Sequence, residues 1–358
     1  LDIYCEEETA DIVVLSFLHV FNAGTNNPPE INLSYHCNTT FSEYPNLLSC
    51  PKIGQHIQKC QAKGKKVLLS LGGSAGSYGF KEEKHGGIFA KTLWNMFLGG
   101  ESEYRPFGEA KLDGIDLDIE GGSSIGYTEM IKGLRSLFSK NEKSYLITGA
   151  PQCTFPDVYF GKVLDEAWFD YVFVQYYNNF CGVQNFNNPW AFNFAEWENW
   201  SETKAINPNV KVLLGVPGAP SAANLGYVDL KTLYPIVKNV SQTYKNFGGV
   251  MVWDVSQADG NQVGEHKFKF SEVVGSWLKS PGALGVPATK PTTTPAKPAE
   301  GYLDSEGRLD FKNLIETESI PDSGSECSKK VLACGETGYM VCYEGKWKAK
   351  SCPAGAKC

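Results

Sequence analysis

Blocks of lysine and arginine are missing from this 358-residue chain, whose formal net charge is −7. A nucleic-acid surface leaves a basic footprint, so neutral partners are expected instead. No run of eighteen apolar residues occurs, so no membrane-spanning helix is expected. The opening "LDIYCEEETADIVVL" has neither the basic flank nor the apolar core of a signal peptide, which suggests a processed or truncated start. Metal-type spacing is absent among His19, His36, His56, His85 and His266, and no C-x-x-C pair, P-loop or dinucleotide glycine pattern appears. No metal and no cofactor are expected.

Cysteine, by contrast, is plentiful. Eleven residues without zinc-type pairing favour a disulfide framework and an oxidising compartment, so secretion to the extracellular space or a cell wall is expected. Sequons at Asn32, Asn38, Asn199 and Asn239 agree with that setting.

Seven short runs rich in β-branched or aromatic residues recur with helical or loop-like intervals: "DIVVLSFL", "KKVLLSLGG", "LDGIDLDIE", "YLITGAPQ", "DYVFVQYYN", "VKVLLGVPG" and "GGVMVWD". Strands separated by helical crossovers read as parallel βα units, and near-continuous apolar runs suit strands covered on both faces. The expected fold class is α/β, a (β/α)8 TIM barrel lacking its first strand in this chain, since seven runs are present rather than eight. The barrel is placed at residues 1–280. Residues 281–300, within "SPGALGVPATKPTTTPAKPAE", shift to Pro, Thr, Ala and Lys and read as an extended linker. Residues 301–358 hold Cys327, Cys334, Cys342, Cys352 and Cys358 and are expected to form a small disulfide-rich module.

The stretch "KLDGIDLDIEGG" concentrates four carboxylates in an otherwise apolar segment. Side chains alternate faces along a strand, so Asp116, Asp118 and Glu120 share one face while Ile115, Leu117 and Ile119 share the other. In a barrel the acids would point inward and climb toward the C-terminal rim, with Glu120 nearest the mouth. Crowding and partial burial would raise at least one pKa, and a proton donor beside a carboxylate suits glycoside cleavage. A calcium loop is the rival reading of D-x-D-x-D, but the glycine expected at its sixth position is absent. Asp113 has the wrong parity and is expected to anchor the strand start.

With those residues in view, "LDGIDLDIE" resembles the D-G-x-D-x-D-x-E signature of glycoside hydrolase family 18 chitinases, and "LLSLGG" resembles that family's S-x-G-G strand. The likeness covers residues 1 to about 280 and is nearest the fungal and plant class III branch, whose "APQC", "QYYNN" and "VWD" elements occur at Ala150, Gln175 and Val252. The tail resembles a small fungal chitin-binding module. The resemblance implies an endo-acting chitinase with Glu120 as general acid and later base. Asp118 would assist the substrate's own 2-acetamido nucleophile, and Asp116 would share a proton or hydrogen bond with Asp118. An i, i+2 spacing of roughly 6 to 7 Å alone would suggest inversion, whereas the family's chemistry implies retention.

By the same resemblance the Tyr177 hydroxyl would meet the acetamido carbonyl, Gln175 and Asn178 would contact sugar, and Trp253 would form an apolar floor. Ser70, Gly72 and Gly73 would shape the rim, Gly73 by letting substrate approach. In the tail Trp347 is the foremost candidate for stacking on sugar rings, with Tyr339 and Tyr343 beside it. Implied disulfides are Cys5–Cys60, Cys37–Cys50 and Cys153–Cys181. Chitin or chitooligosaccharides are the expected partners of a monomer. Two alternatives share the fold: an endo-β-N-acetylglucosaminidase on N-glycans, and a non-catalytic chitin lectin.

Overall fold

A computed structural model describes residues 1–21, 28–264 and 267–279, and the backbone of Leu332–Cys334, Gly338–Tyr343 and Lys346–Ser351. The chain divides into two units, Leu1–Pro287 and Ala288–Cys358.

The first unit is an α/β sheet of mostly parallel strands, consistent with a TIM-barrel-like fold. Seven strands pair in sequence order: β1 (Ile12–Phe21), β2 (Lys66–Gly72), β3 (Gly114–Asp118), β4 (Leu146–Gly149), β5 (Tyr171–Gln175), β6 (Lys211–Pro217) and β7 (Phe247–Trp253). Every pairing along this path is parallel. Helices such as Pro51–Ala62, Glu83–Phe97, Tyr127–Phe138 and Leu230–Thr243 make the crossovers. Tyr127–Phe138 shows why: its buried Tyr127, Met130, Ile131, Leu134 and Phe138 recur at helical spacing and form one apolar stripe. Asp229 starts Leu230–Thr243 by accepting the Thr232 N–H at 2.8 Å.

Strand alternation divides the apolar residues into two layers. Val172, Val174, Val212 and Leu214 join the large core under the helices, together with Ile115, Leu117 and Ile119. Phe173 and Leu213, of opposite parity, join a second cluster with Ala150, Ile12, Val14, Tyr171 and Met251. Central strands are covered almost throughout, whereas β7 is half-exposed along most of its length. Among the described residues β7 has no partner beyond β6, and the outer edge of β1 pairs only through a two-residue strand, Glu30–Ile31, near its end.

Disulfides join Cys5 to Cys60, Cys37 to Cys50 and Cys153 to Cys181. These bonds are spread through the first unit rather than gathered in a C-terminal module. The pairing of Cys327, Cys334, Cys342, Cys352 and Cys358 lies outside the described residues. In the second unit three strands form an antiparallel sheet, with Trp347 opposite Cys342 in register. Among the described residues no helix is long and apolar enough to cross a membrane.

Candidate active site

Register carries the row of acids to its partners. Ser70 on β2, Asp116 on β3 and Thr148 on β4 stand side by side across three strands. Both hydroxyls donate to the buried Asp116 carboxylate, Ser70 at 2.7 Å and Thr148 at 2.6 Å. One step toward the rim, Asp118 is opposite Gly72, and its Oδ1 accepts from Gln175 Nε2 at 2.8 Å. That amide also donates to the Ala150 carbonyl at 2.8 Å, which fixes its orientation. Glu120 lies two residues past the end of β3 and is half-buried.

Electrostatics separates the three acids. Burial raises the Asp116 pKa, and the Thr148 and Ser70 hydrogen bonds oppose that rise. Asp118 is pushed well above the usual carboxylate range, first by burial, then by the charges of Glu120 and Asp116. Glu120 is raised by burial and by the charge of Asp157, while hydrogen bonds from Asp118 and Gln175 pull it back. The result is a coupled pair, Asp118 and Glu120, that resists losing both protons. Asp116 was expected to share a hydrogen bond with Asp118. Instead the Ser70 and Thr148 hydroxyls occupy it, and Asp118 accepts from Gln175.

Asp157 was missed from sequence. It follows a cis Phe155–Pro156 bond on the loop after β4 and is buried. Its carboxylate accepts backbone N–H groups from Gln152, Tyr159 and Phe160 at 2.9, 2.8 and 2.7 Å. The signal available was a carboxylate just beyond a barrel strand's C-terminal end; strand parity, which applies only inside strands, overlooked it.

The other singled-out residues separate into those near the acids and those engaged elsewhere. Tyr177 is buried, and its pKa is raised well above its ordinary value by burial, then by the charges of Asp118, Glu120 and Asp116. Trp253 ends β7 and stacks on Phe17 with ring centroids 5.7 Å apart. The exposed Asn178 pins the loop after β6: its amide oxygen accepts from Asn224 N at 2.9 Å and Leu225 N at 3.2 Å. Asp113 anchors the start of β3 by accepting from Val67 N at 2.9 Å and Gln61 Nε2 at 2.8 Å. The side chain of Trp347 lies outside the described residues.

Gly72 and Gly73 have φ of 106° and 87°. A Cβ on Gly72 would come within 2.2 Å of the Asp118 carbonyl oxygen, and one on Gly73 within 3.0 Å of the Phe17 ring. Close backbone approach therefore demands glycine at both. Gly72→Ala is expected to destabilise the protein by about 1–3 kcal/mol, measured as a lower midpoint of thermal unfolding, because backbone rather than a flexible side chain blocks the new methyl.

The site is a row of two buried acids, Asp116 and Asp118, and one half-buried acid, Glu120, at the end of a parallel sheet. Residues 3–230 match the family described as Glycosyl hydrolases family 18. This chain belongs to glycosyl hydrolases family 18. It is 46% identical over 360 residues to "Chitinase 2" of Rhizopus oligosporus, covering all of this chain and 64% of that relative. The chain thus spans less than two thirds of that relative's length. Among solved structures, ICChI chitinase from Ipomoea carnea superposes with a TM-score of 0.60 at 34% identity, covering 70% of this chain and 88% of that one. The xylanase and alpha-amylase inhibitor protein XAIP-II from Scadoxus multiflorus gives 0.61 at 34% identity, covering 71% and 87%.

Proposed function

We propose that this chain is the catalytic part of a secreted, monomeric endo-acting chitinase, cleaving β-1,4-N-acetylglucosamine linkages with retention. The observation that carries the reading is the placement of two acids at the sheet's end: Glu120, half-buried just past β3, and Asp118, buried and held by Gln175. Glu120 protonates the glycosidic oxygen as the bond to C1 breaks. The substrate's acetamido oxygen closes on C1, with Asp118 taking up the acetamido N–H and Tyr177 steadying the acetamido group. Water then attacks C1 as the bond from C1 to the acetamido oxygen breaks, Glu120 accepts the water's proton, and the product keeps the β configuration.

Asp116, held by two hydroxyls, keeps Asp118 surrounded by negative charge and so favours a proton on the pair. Gln175, Gly73 and Trp253 line the sugar site in this reading. Residues 281–300 serve as a linker to a chitin-binding module at 301–358, in which Trp347 stacks on sugar and raises the local concentration of polymer.

The test is to incubate the protein with chitin oligosaccharides and follow product anomers by NMR. Internal cleavage with initial β-anomer is expected, and initial α-anomer would overturn the retaining mechanism. A non-catalytic role has one observation in its favour, the likeness to an inhibitor protein of the same fold; binding of the oligosaccharides without turnover would establish it. Turnover confined to N-glycans would establish an endo-β-N-acetylglucosaminidase.

A further inference from the structure

The ladder that aligns the acids stops short of the one that donates the proton. Gly72 opposite Asp118 is the last β2–β3 pair, so Glu120 lies beyond any neighbouring strand. A backbone N–H at that position needs another acceptor to hold it. The Tyr78 hydroxyl provides one: Glu120 N–H donates to it at 3.2 Å, and it donates in turn to the Gly73 carbonyl at 2.7 Å. Gly73 N–H closes the circuit on the Asp118 carbonyl at 2.8 Å. A single phenol thus ties the main chain of Glu120 to that of Asp118 where β-sheet pairing no longer does.

Tyr78 is itself well placed to bear load. It lies on a two-residue strand, Ser77–Tyr78, paired with the end of β1. Its ring stacks on the buried Phe21, with centroids 5.6 Å apart. It also lines a cavity of about 330 Å³ with Ser74, Gly76, Ser77, Glu120, Gly121 and Gly122. That space adjoins the proton donor, on a wall free of the other acids.

We propose that the Tyr78 hydroxyl is a positioning group that sets the reach of Glu120 toward the leaving-group oxygen. It touches no reacting atom and acts through the Glu120 backbone. The inference rests on the chitinase reading and adds the residue that holds its acid in place.

Leaving-group dependence distinguishes positioning from general structural damage. A sugar alkoxide departs only when protonated, while a nitrophenolate departs with little help. Tyr78→Phe keeps the ring on Phe21 and removes only the hydroxyl. It should lower kcat on chitin oligosaccharides about tenfold, a fraction of what a general acid contributes, with KM unchanged, and lower turnover of a 4-nitrophenyl chitooligosaccharide by less than about twofold. Equal losses on both substrates, or none on the oligosaccharide, would overturn the proposal. Phe21→Leu, which loosens the ring and keeps the hydroxyl, should affect both substrates alike; the same asymmetry in that variant would also overturn it. Wild-type protein that turns over neither substrate would sink the chitinase reading and this inference with it, whereas an active wild type with symmetric losses sinks only the role of Tyr78.

Discussion

Glu120→Gln is expected to lower kcat on chitin oligosaccharides by about 10²–10⁴-fold, the range that a general acid supplies. The amide matches the carboxyl in shape and keeps a polar group beside Asp118 and Gln175, so folding should be unaffected; a thermal melt checks that. What disappears is the transferable proton. The sign of the pH dependence follows from the same group. Burial and the Asp157 charge raise the Glu120 pKa, so its active, protonated form persists to higher pH than an ordinary glutamate allows. Wild-type kcat should therefore fall on the alkaline side as Glu120 ionises, while the residual activity of the variant should lack that limb. Turnover by Glu120→Gln equal to wild type, measured with reducing-sugar release, would remove Glu120 from the mechanism.

Asp118→Asn should separate stability from activity. Asp118 is buried against two other acids, and its folded-state pKa lies well above the unfolded value. A raised carboxyl contributes stability that is fully present below the unfolded pKa and is lost as pH rises through the folded one. At neutral pH the wild type thus carries a penalty that the neutral amide does not. The variant is expected to melt higher by about 2–4 °C for each kcal/mol relieved, with the gain vanishing near pH 4, about the unfolded aspartate value. Its Oδ1 still accepts the Gln175 hydrogen bond, so packing is conserved. Activity should fall about 10²–10³-fold, as when one group stabilising developing charge is removed. Scanning calorimetry at pH 7 and pH 4, beside kinetics, tests both halves. A lower melting point at pH 7 would mean that the carboxylate stabilises the fold and that the coupled-acid account is wrong.

Of these two residues, Asp118 has its face set by alternation within β3, while Glu120 lies two residues past the strand's end. Apolar Ile115, Leu117 and Ile119 against Asp116, Asp118 and Glu120 is a period of two, and only one face of a strand can enter a core of that kind. The parallel βα order was legible in the same way, from β-branched runs spaced by helical intervals. Gln175 and Tyr177 share parity in the sequence, although β5 ends at Gln175. Harder to read were relations between distant segments. Thr148 receives its role from a register that aligns it with Asp116, and Asn178 is held by a loop more than forty residues away. Asp157 lies on a loop and Tyr78 on a strand of only two residues, where no periodicity reports direction.

Local pattern by itself determined which residues are strands, which face carries the acids and which acid stands outermost, because side-chain direction within a strand depends only on neighbouring residues. Tertiary structure alone decided what each acid touches. Hydrogen bonds such as Ser70 to Asp116, Gln175 to Asp118 and Glu120 to Tyr78 span 46, 57 and 42 positions of chain. Their existence rests on how strands register and how loops close over the rim, and that is settled by packing of the whole sheet.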